Sequence, residues 1–436
     1  MALNTLPTYP TYAPAAQAKP GSPKPDMTKP GTMFAVDDFS APDSHGNSVV
    51  QAARQGGFRG PVVELQENTS DKVFLSGRAQ KDMQAMDQPD VPADTFTKKL
   101  KDYDTTQEVG LLNLATDGLQ QVENKGGNQG STNLSLGTSK ASIVKGEYDQ
   151  IMDGYQMDSP PSGARVTPMG IQTTPPSDEQ MQAYNAKERA KQQLTANAIN
   201  AFGLDGVKLG NPDPTISGPQ RAKLQQGLIN QANQAIDGNT EIQAAKGKYN
   251  QAIDTLADRH ESVNVASGNE GTDQHDLEAL DAPPAQNTKP GAPQPKTPKL
   301  TVPADFDVNV LSSPKARMIG AVGVLPANPW APGPDPNSAT TVAPYTSSNP
   351  GMTRFGPGVL VTPDNASDGT SIATPYNAAL DTAVLGSNPK MSIEQANDFE
   401  QKSFTKQIPN NGHPVSELDM TKVTAYEQTH DAPPAN

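Results

Sequence analysis

The sequence predicts a mostly irregular, extended chain that carries small α-helical modules and a minor β part, with no single large core. Three observations lead there. Leu, Ile, Val and Phe fill only 74 of 436 positions, about 17%, below the roughly 20% under which chains struggle to bury enough apolar surface. Prolines (42) and glycines (36) punctuate the whole length. Aromatic residues make up 5%, and Trp330 is the single tryptophan.

Residues 1–60 read as a proline-rich extended arm, since each proline fixes φ and removes an amide donor. Within it Met33, Phe34, Val36 and Phe39 form small apolar clusters, candidate anchors for docking onto another surface. Residues 61–150 read as a small hairpin plus a helical module. The apolar runs Val62–Leu65 and Val73–Leu75 flank a turn-rich ENTSD. A helix follows Pro92, with Phe96, Leu100 and Tyr103 on one face and Leu112, Ala115, Leu119 and Val122 continuing it until Gly126 and Gly127. Residues 151–176 are a linker broken by Pro160, Pro161, Pro168, Pro175 and Pro176.

Residues 177–260 read as a three-helix module. Ser177 with Gln180 makes a capping box, and the helix runs to about Phe202, where Gly203 ends it. Pro219 sits as the first residue of a second helix that stops at Gly238. Thr240 with Gln243 opens a third. Its Ile242, Ala245, Tyr249, Ala252 and Leu256 recur at spacings of 3, 4, 3 and 4, the seam of a coiled coil, and are the candidate self-association stripe. Residues 261–303 form a proline-rich spacer, extended at about 3.1 Å per residue. Residues 304–390 read as a strand-like, proline-rich module, with Phe306, Val308 and Val310 alternating and VLVTP after Gly358. Residues 391–436 hold a last helix, capped by Ser392 with Gln395, and a polar tail.

The net charge of −14 and pI near 4.8 argue against direct nucleic-acid binding, which needs clustered Lys and Arg. The nearest basic cluster, Lys98, Lys99 and Lys101, reads as a solvated helix face. The chain starts without a basic-then-apolar leader, no window reaches the roughly 18 apolar residues of a membrane span, and cysteine is absent.

Chemistry-bearing motifs are equally sparse. The five histidines, His45, His260, His275, His413 and His430, fall in no metal-ligand spacing. QHDLE at 274–278 sits in a polar linker without an apolar wall. There is no G-x-S-x-G elbow and no phosphate-binding G-x-x-x-x-G-K-[ST]. GPGVL at 356–360 reads as a turn before a strand, and NPDPTISG at 211–218 lacks the ligand count of a calcium loop. The glycosylation triplets at Asn68, Asn133 and Asn365 read as chance matches. These residues therefore predict no enzyme, no catalytic or metal site and no cofactor.

Long proline-rich arms, modules too small to stand alone, no cysteine and abundant Ala, Gln and Asn together resemble accessory virion proteins of tailed bacteriophages, namely head, neck or internal ejection proteins. The resemblance implies a non-enzymatic structural component located in the virion, with other virion proteins and copies of itself as partners, bound through extended arms. The alternative is a bacterial secreted effector or translocator exported unfolded.

Overall fold

The computed structural model describes residues 31–41, 44–67, 76–153, 163–167, 170–174, 176–204, 217–271, 301–303, 305–323, 341–347, 349, 352, 354–361, 366–408, 410 and 414–430. An eight-stranded sheet runs through it in the order β11-β12-β8-β7-β6-β3-β1-β2. Its strands are β1 (Met33–Asp37), β2 (Val62–Gln66), β3 (Ser131–Leu134), β6 (Ser262–Ala266), β7 (Arg317–Val322), β8 (Arg354–Pro357), β11 (Thr405–Ile408) and β12 (Val415–Leu418). Every neighbouring pair is parallel except β11 with β12. Two short antiparallel ladders stand apart, β4 (Gly163–Thr167) with β5 (Gly170–Thr174), and β9 (Val359–Val361) with β10 (Ala366–Asp368).

Helices cover both faces, as a parallel sheet requires. On one face lie α3 (Ala93–Asn124) and α7 (Thr240–Ala257), sharing a core with Phe34, Val36, Leu134, Val263 and Val265. Outside them α2 (Gly77–Met86), α4 (Lys140–Asp153), α5 (Asp178–Ala201) and α6 (Gly218–Ile236) enclose a second core around Phe96, Tyr148 and Leu228. On the other face α1 (His45–Gly56) and α8 (Thr370–Ser387) pack against Met33 and Ala35. There α9 (Ile393–Phe404) and α10 (Met420–His430) join α8.

The expectation of an extended chain without a large core is thus overturned: this is an α/β fold built on one wide sheet. The count of large aliphatic residues missed it because the core uses small and polar side chains. Every residue of α8 but Ser371 is buried, although its sequence TSIATPYNAALDTAVLGS is mostly Ala, Thr, Ser and Asn. Ser131, Thr132, Asn133, Ser262 and Asn264 are 0–1% exposed in the central strands.

The sheet also draws strands from five of the segments that the sequence divides, from the arm (β1) to the tail (β12). The expected anchors Met33, Phe34 and Val36 are buried within β1, and Phe39 packs partly buried beside α1. They are consumed by the chain's own core. Likewise Ile242, Ala245, Tyr249 and Leu256 are buried, and Ala252 partly so, where α7 meets α3 and the sheet. The narrow stripe finds its partner within the chain.

Local signals hold where capping defines them. The boxes at Ser177–Gln180 and Ser392–Gln395 both form, Pro219 occupies the first turn of α6, and α3 starts directly after Pro92. The N-cap of α7 is Asn239, not Thr240. Phe306, Val308 and Val310 form a turn-rich segment instead of a strand. Val73–Leu75, the spacer over 281–300, QHDLE and residues 211–216 lie outside the described residues. Among the described residues no helix is long and apolar enough to cross a membrane.

Candidate active site

The chain reverses direction across the sheet beside β1: β2 lies on one side and β3 on the other. In open parallel sheets the crevice at the carboxyl ends of strands flanking such a reversal is where ligands bind. Asp37 is the last residue of β1, at this crevice. Strand alternation puts residues 33, 35 and 37 on the α1/α8 face, so the Asp37 carboxylate points to the N-termini of those two helices and is 2% exposed.

His45 opens α1 and Ser371 is the second residue of α8. His45 Nδ1 lies 2.9 Å and 3.0 Å from the two Asp37 carboxylate oxygens, and His45 Nε2 lies 2.9 Å from Ser371 Oγ. A carboxylate only accepts, so Nδ1 carries the proton and donates to Asp37. That leaves the Nε2 lone pair to accept from the Ser371 hydroxyl. The result is a continuous hydroxyl–imidazole–carboxylate line assembled from two distant parts of the chain, Asp37 with His45 from one and Ser371 from the other. The imidazole is 42% exposed, open to solvent on one side.

Backbone contacts hold these groups in place. The Asp38 amide donates to Asp37 Oδ1 at 2.7 Å, and the Gly46 amide donates to the Asp38 carbonyl at 2.9 Å. This second contact draws the start of α1 against the end of β1. A Cβ on Gly46 would stand 2.6 Å from that same carbonyl, so only glycine permits the approach. Burial pulls the His45 pKa down, but the hydrogen bond and charge of Asp37 outweigh it, and Asp38 adds to them. His45 therefore stands above its ordinary value of 6.5.

A fourth residue faces the nucleophile. Asn269 follows β6, and its Oδ1 accepts from the Thr370 amide at 2.9 Å and the Thr370 hydroxyl at 3.0 Å. A backbone amide can only donate, which settles the side-chain orientation and leaves Nδ2 as an outward donor. The Gly268 amide in turn donates to Thr370 Oγ1 at 3.1 Å. A Cβ built on Gly369 would lie 3.2 Å from both Asn269 Nδ2 and Ser371 Oγ, so the two groups flank one spot. Behind them Ser135 Oγ donates to the Ser371 carbonyl at 2.9 Å and accepts from Asn133 Nδ2 at 2.9 Å.

Further along α8, about three turns from Ser371, the fold buries charge. Asp381 Oδ2 accepts from Ser262 Oγ at 2.6 Å and Asn264 Nδ2 at 2.8 Å. Its Oδ1 accepts from Arg317 Nη1 and, at 3.2 Å, from Arg354 Nη1. Glu400 on α9 accepts from both arginines. Burial raises the Asp381 pKa, but Arg317 and Arg354 outweigh it and leave it lowered. In Glu400 burial prevails, raising it to about 7. A separate group of buried acids, Asp104 and Glu108 on α3 with Glu147 on α4, lies in the helical layer and is raised by burial.

No group of three or more His, Cys, Asp or Glu among the described residues is arranged to hold a metal ion. In the sequence His45 falls in no motif that gives it a role, and no motif singles out Asp37, Asn269 or Ser371. The signals were present in short form: an Asp closing the apolar run MFAVD, SHGNS, ASGNEG, and DGTSIATP. The last carries Gly-x-Ser at a helix start but has Ala where the G-x-S-x-G elbow has its second glycine. Asn133, one of the glycosylation triplets, is fully buried on β3. No protein-family model matches this chain, and a search of curated proteins finds no match.

Proposed function

We propose that the protein is a serine hydrolase that transfers acyl groups from an amide or ester to water through a Ser371 acyl-enzyme. The observation that carries this reading is the unbroken line from Ser371 Oγ through His45 to Asp37, the geometry by which such triads are recognised on unrelated folds. Ser371 Oγ attacks the acyl carbon while His45 Nε2 takes its proton. The imidazolium, stabilised by Asp37, then passes that proton to the leaving group. Water repeats the sequence in reverse on the acyl-enzyme. The developing oxyanion lies against Asn269 Nδ2 and the Ser371 amide, which the first turn of α8 leaves without an intrahelical partner.

Asp, His and Ser follow one another along the chain in the order of subtilisin, distinct from chymotrypsin and the α/β-hydrolases. With the mostly parallel α/β scaffold, this analogy points to peptide bonds as the substrate. The reading stands ahead of the structural virion component, which rests on composition and the expected arm-and-module architecture. A fluorophosphonate probe tests it. Wild-type protein should be labelled at Ser371 and should cleave unfolded casein, with both lost in Ser371→Ala and His45→Ala. A wild-type protein that takes no label under conditions where it is folded would refute it.

A further inference from the structure

The proposed mechanism needs the nucleophile and the amide donor at a fixed separation, yet they come from different elements. Ser371 rides on α8, whereas Asn269 lies three residues beyond the end of β6. The strongest polar tie between these two elements is Asp381, about three turns further along α8. Its Oδ2 takes both of its hydrogen bonds from β6, from Ser262 and Asn264. Its Oδ1 takes bonds from Arg317 on β7 and Arg354 on β8. One carboxylate thus clamps the helix to three adjacent parallel strands, at a site 0% exposed. Hydrophobic contact alone would leave α8 free to slide, because its sheet-facing surface is largely Ala, Thr and Asn.

We infer that Asp381 is a positioning residue for the reaction: its bonds to Ser262 and Asn264 set the register of the nucleophile helix against the strand that delivers Asn269. The inference rests on the hydrolase reading. It differs from a purely structural role in one consequence. If Asp381 acts through the spacing of Ser371 and Asn269, loosening it should matter only while Asn269 is present to stabilise the oxyanion.

The test is a double-substitution cycle with Asp381→Asn, Ser262→Ala and Asn264→Ala, each alone and combined with Asn269→Ala. The readouts are kcat and KM on a peptide anilide. Fluorophosphonate labelling of the wild type first establishes the hydrolase reading, so its failure is seen separately. Asp381→Asn keeps the shape but weakens the pairing of the buried Arg354 and the partly buried Arg317 and can fail to fold. Ser262→Ala and Asn264→Ala remove only neutral donors and carry the test in that case.

In folded variants we expect kcat to fall about tenfold or more, with KM changed less than twofold. In the Asn269→Ala background the same substitutions should cost less than twofold. An equal fall in both backgrounds, an effect confined to KM, or an unchanged kcat in folded Ser262→Ala and Asn264→Ala proteins would each overturn the inference.

Discussion

Gly369→Ala is a small perturbation aimed at the space between nucleophile and amide donor. Gly369 has φ 151° and ψ 164°, a backbone region used almost solely by glycine, where another residue costs on the order of 1–3 kcal/mol. The added methyl would lie 3.2 Å from Ser371 Oγ and 3.2 Å from Asn269 Nδ2, tighter than ordinary van der Waals contact at about 3.5–4 Å. One of the two groups must move by several tenths of an ångström, or the backbone must shift. Either response spoils an arrangement in which a misplacement of about 1 Å can cost roughly a hundredfold. The expected outcome is a fall in kcat of about ten- to a hundredfold with a lowered melting temperature. Labelling of Ser371 by the fluorophosphonate should slow in parallel. Circular dichroism would show that the fold persists. Wild-type kcat and labelling in this variant would refute the assignment of the site.

Asn269→Ala removes one oxyanion donor and should lower kcat about 10²–10³-fold with little change in KM, measured on the same anilide. Because His45 is raised above 6.5 and must be neutral to accept the serine proton, kcat/KM should climb with pH through a value above 6.5. Asp38→Asn, which removes a contributing negative charge, should move that limb to lower pH in a pH–rate profile. Glu108 is raised by burial to about 8 from 4.5, so the unfolded chain releases its proton first and stability drains away as pH rises from about 4.5 to 8. Glu108→Gln should therefore stabilise the protein at pH 7 by about 3 kcal/mol and have little effect below pH 4.5, in urea titrations. Ser392→Ala breaks the capping box of α9 and should cost about 1 kcal/mol in the same assay.

The features legible in the sequence were the ones written locally. A capping box or a proline in a helix's first turn involves residues three or four apart, and Ser177, Pro219 and Ser392 all mark helix starts as expected. The sheet is written non-locally. Asp37 sits on a strand whose neighbours come from 62–66 and 131–134, and no period within MFAVD reveals that pairing. The stripe on α7 is legible as apolar, but the surface that covers it lies on α3 and the sheet and not on another copy. Periodicity shows that a face is buried and is silent on what buries it.

The site and its scaffold are hard to read in the sequence for one physical cause. A nucleophile helix that crosses the sheet beneath a polar site must approach the strands closely. Small side chains such as Ala373, Ala378 and Ala379 permit that approach, and Asp381 can reach β6, β7 and β8 from one position only because the helix lies so near. Such a helix spreads its large aliphatic residues, Ile372, Leu380, Val384 and Leu385, among small and polar ones and shows no single apolar stripe. Its polar residues then look like those of a loop: Thr370, Thr374, Asn377 and Thr382 are all 0–1% exposed, and three of them bond back to the carbonyls of their own helix. A serine at the head of a wholly buried helix has its hydroxyl fixed by the whole core beneath it. The small and polar residues that let α8 lie close to the sheet are what lets the core hold Ser371 against His45.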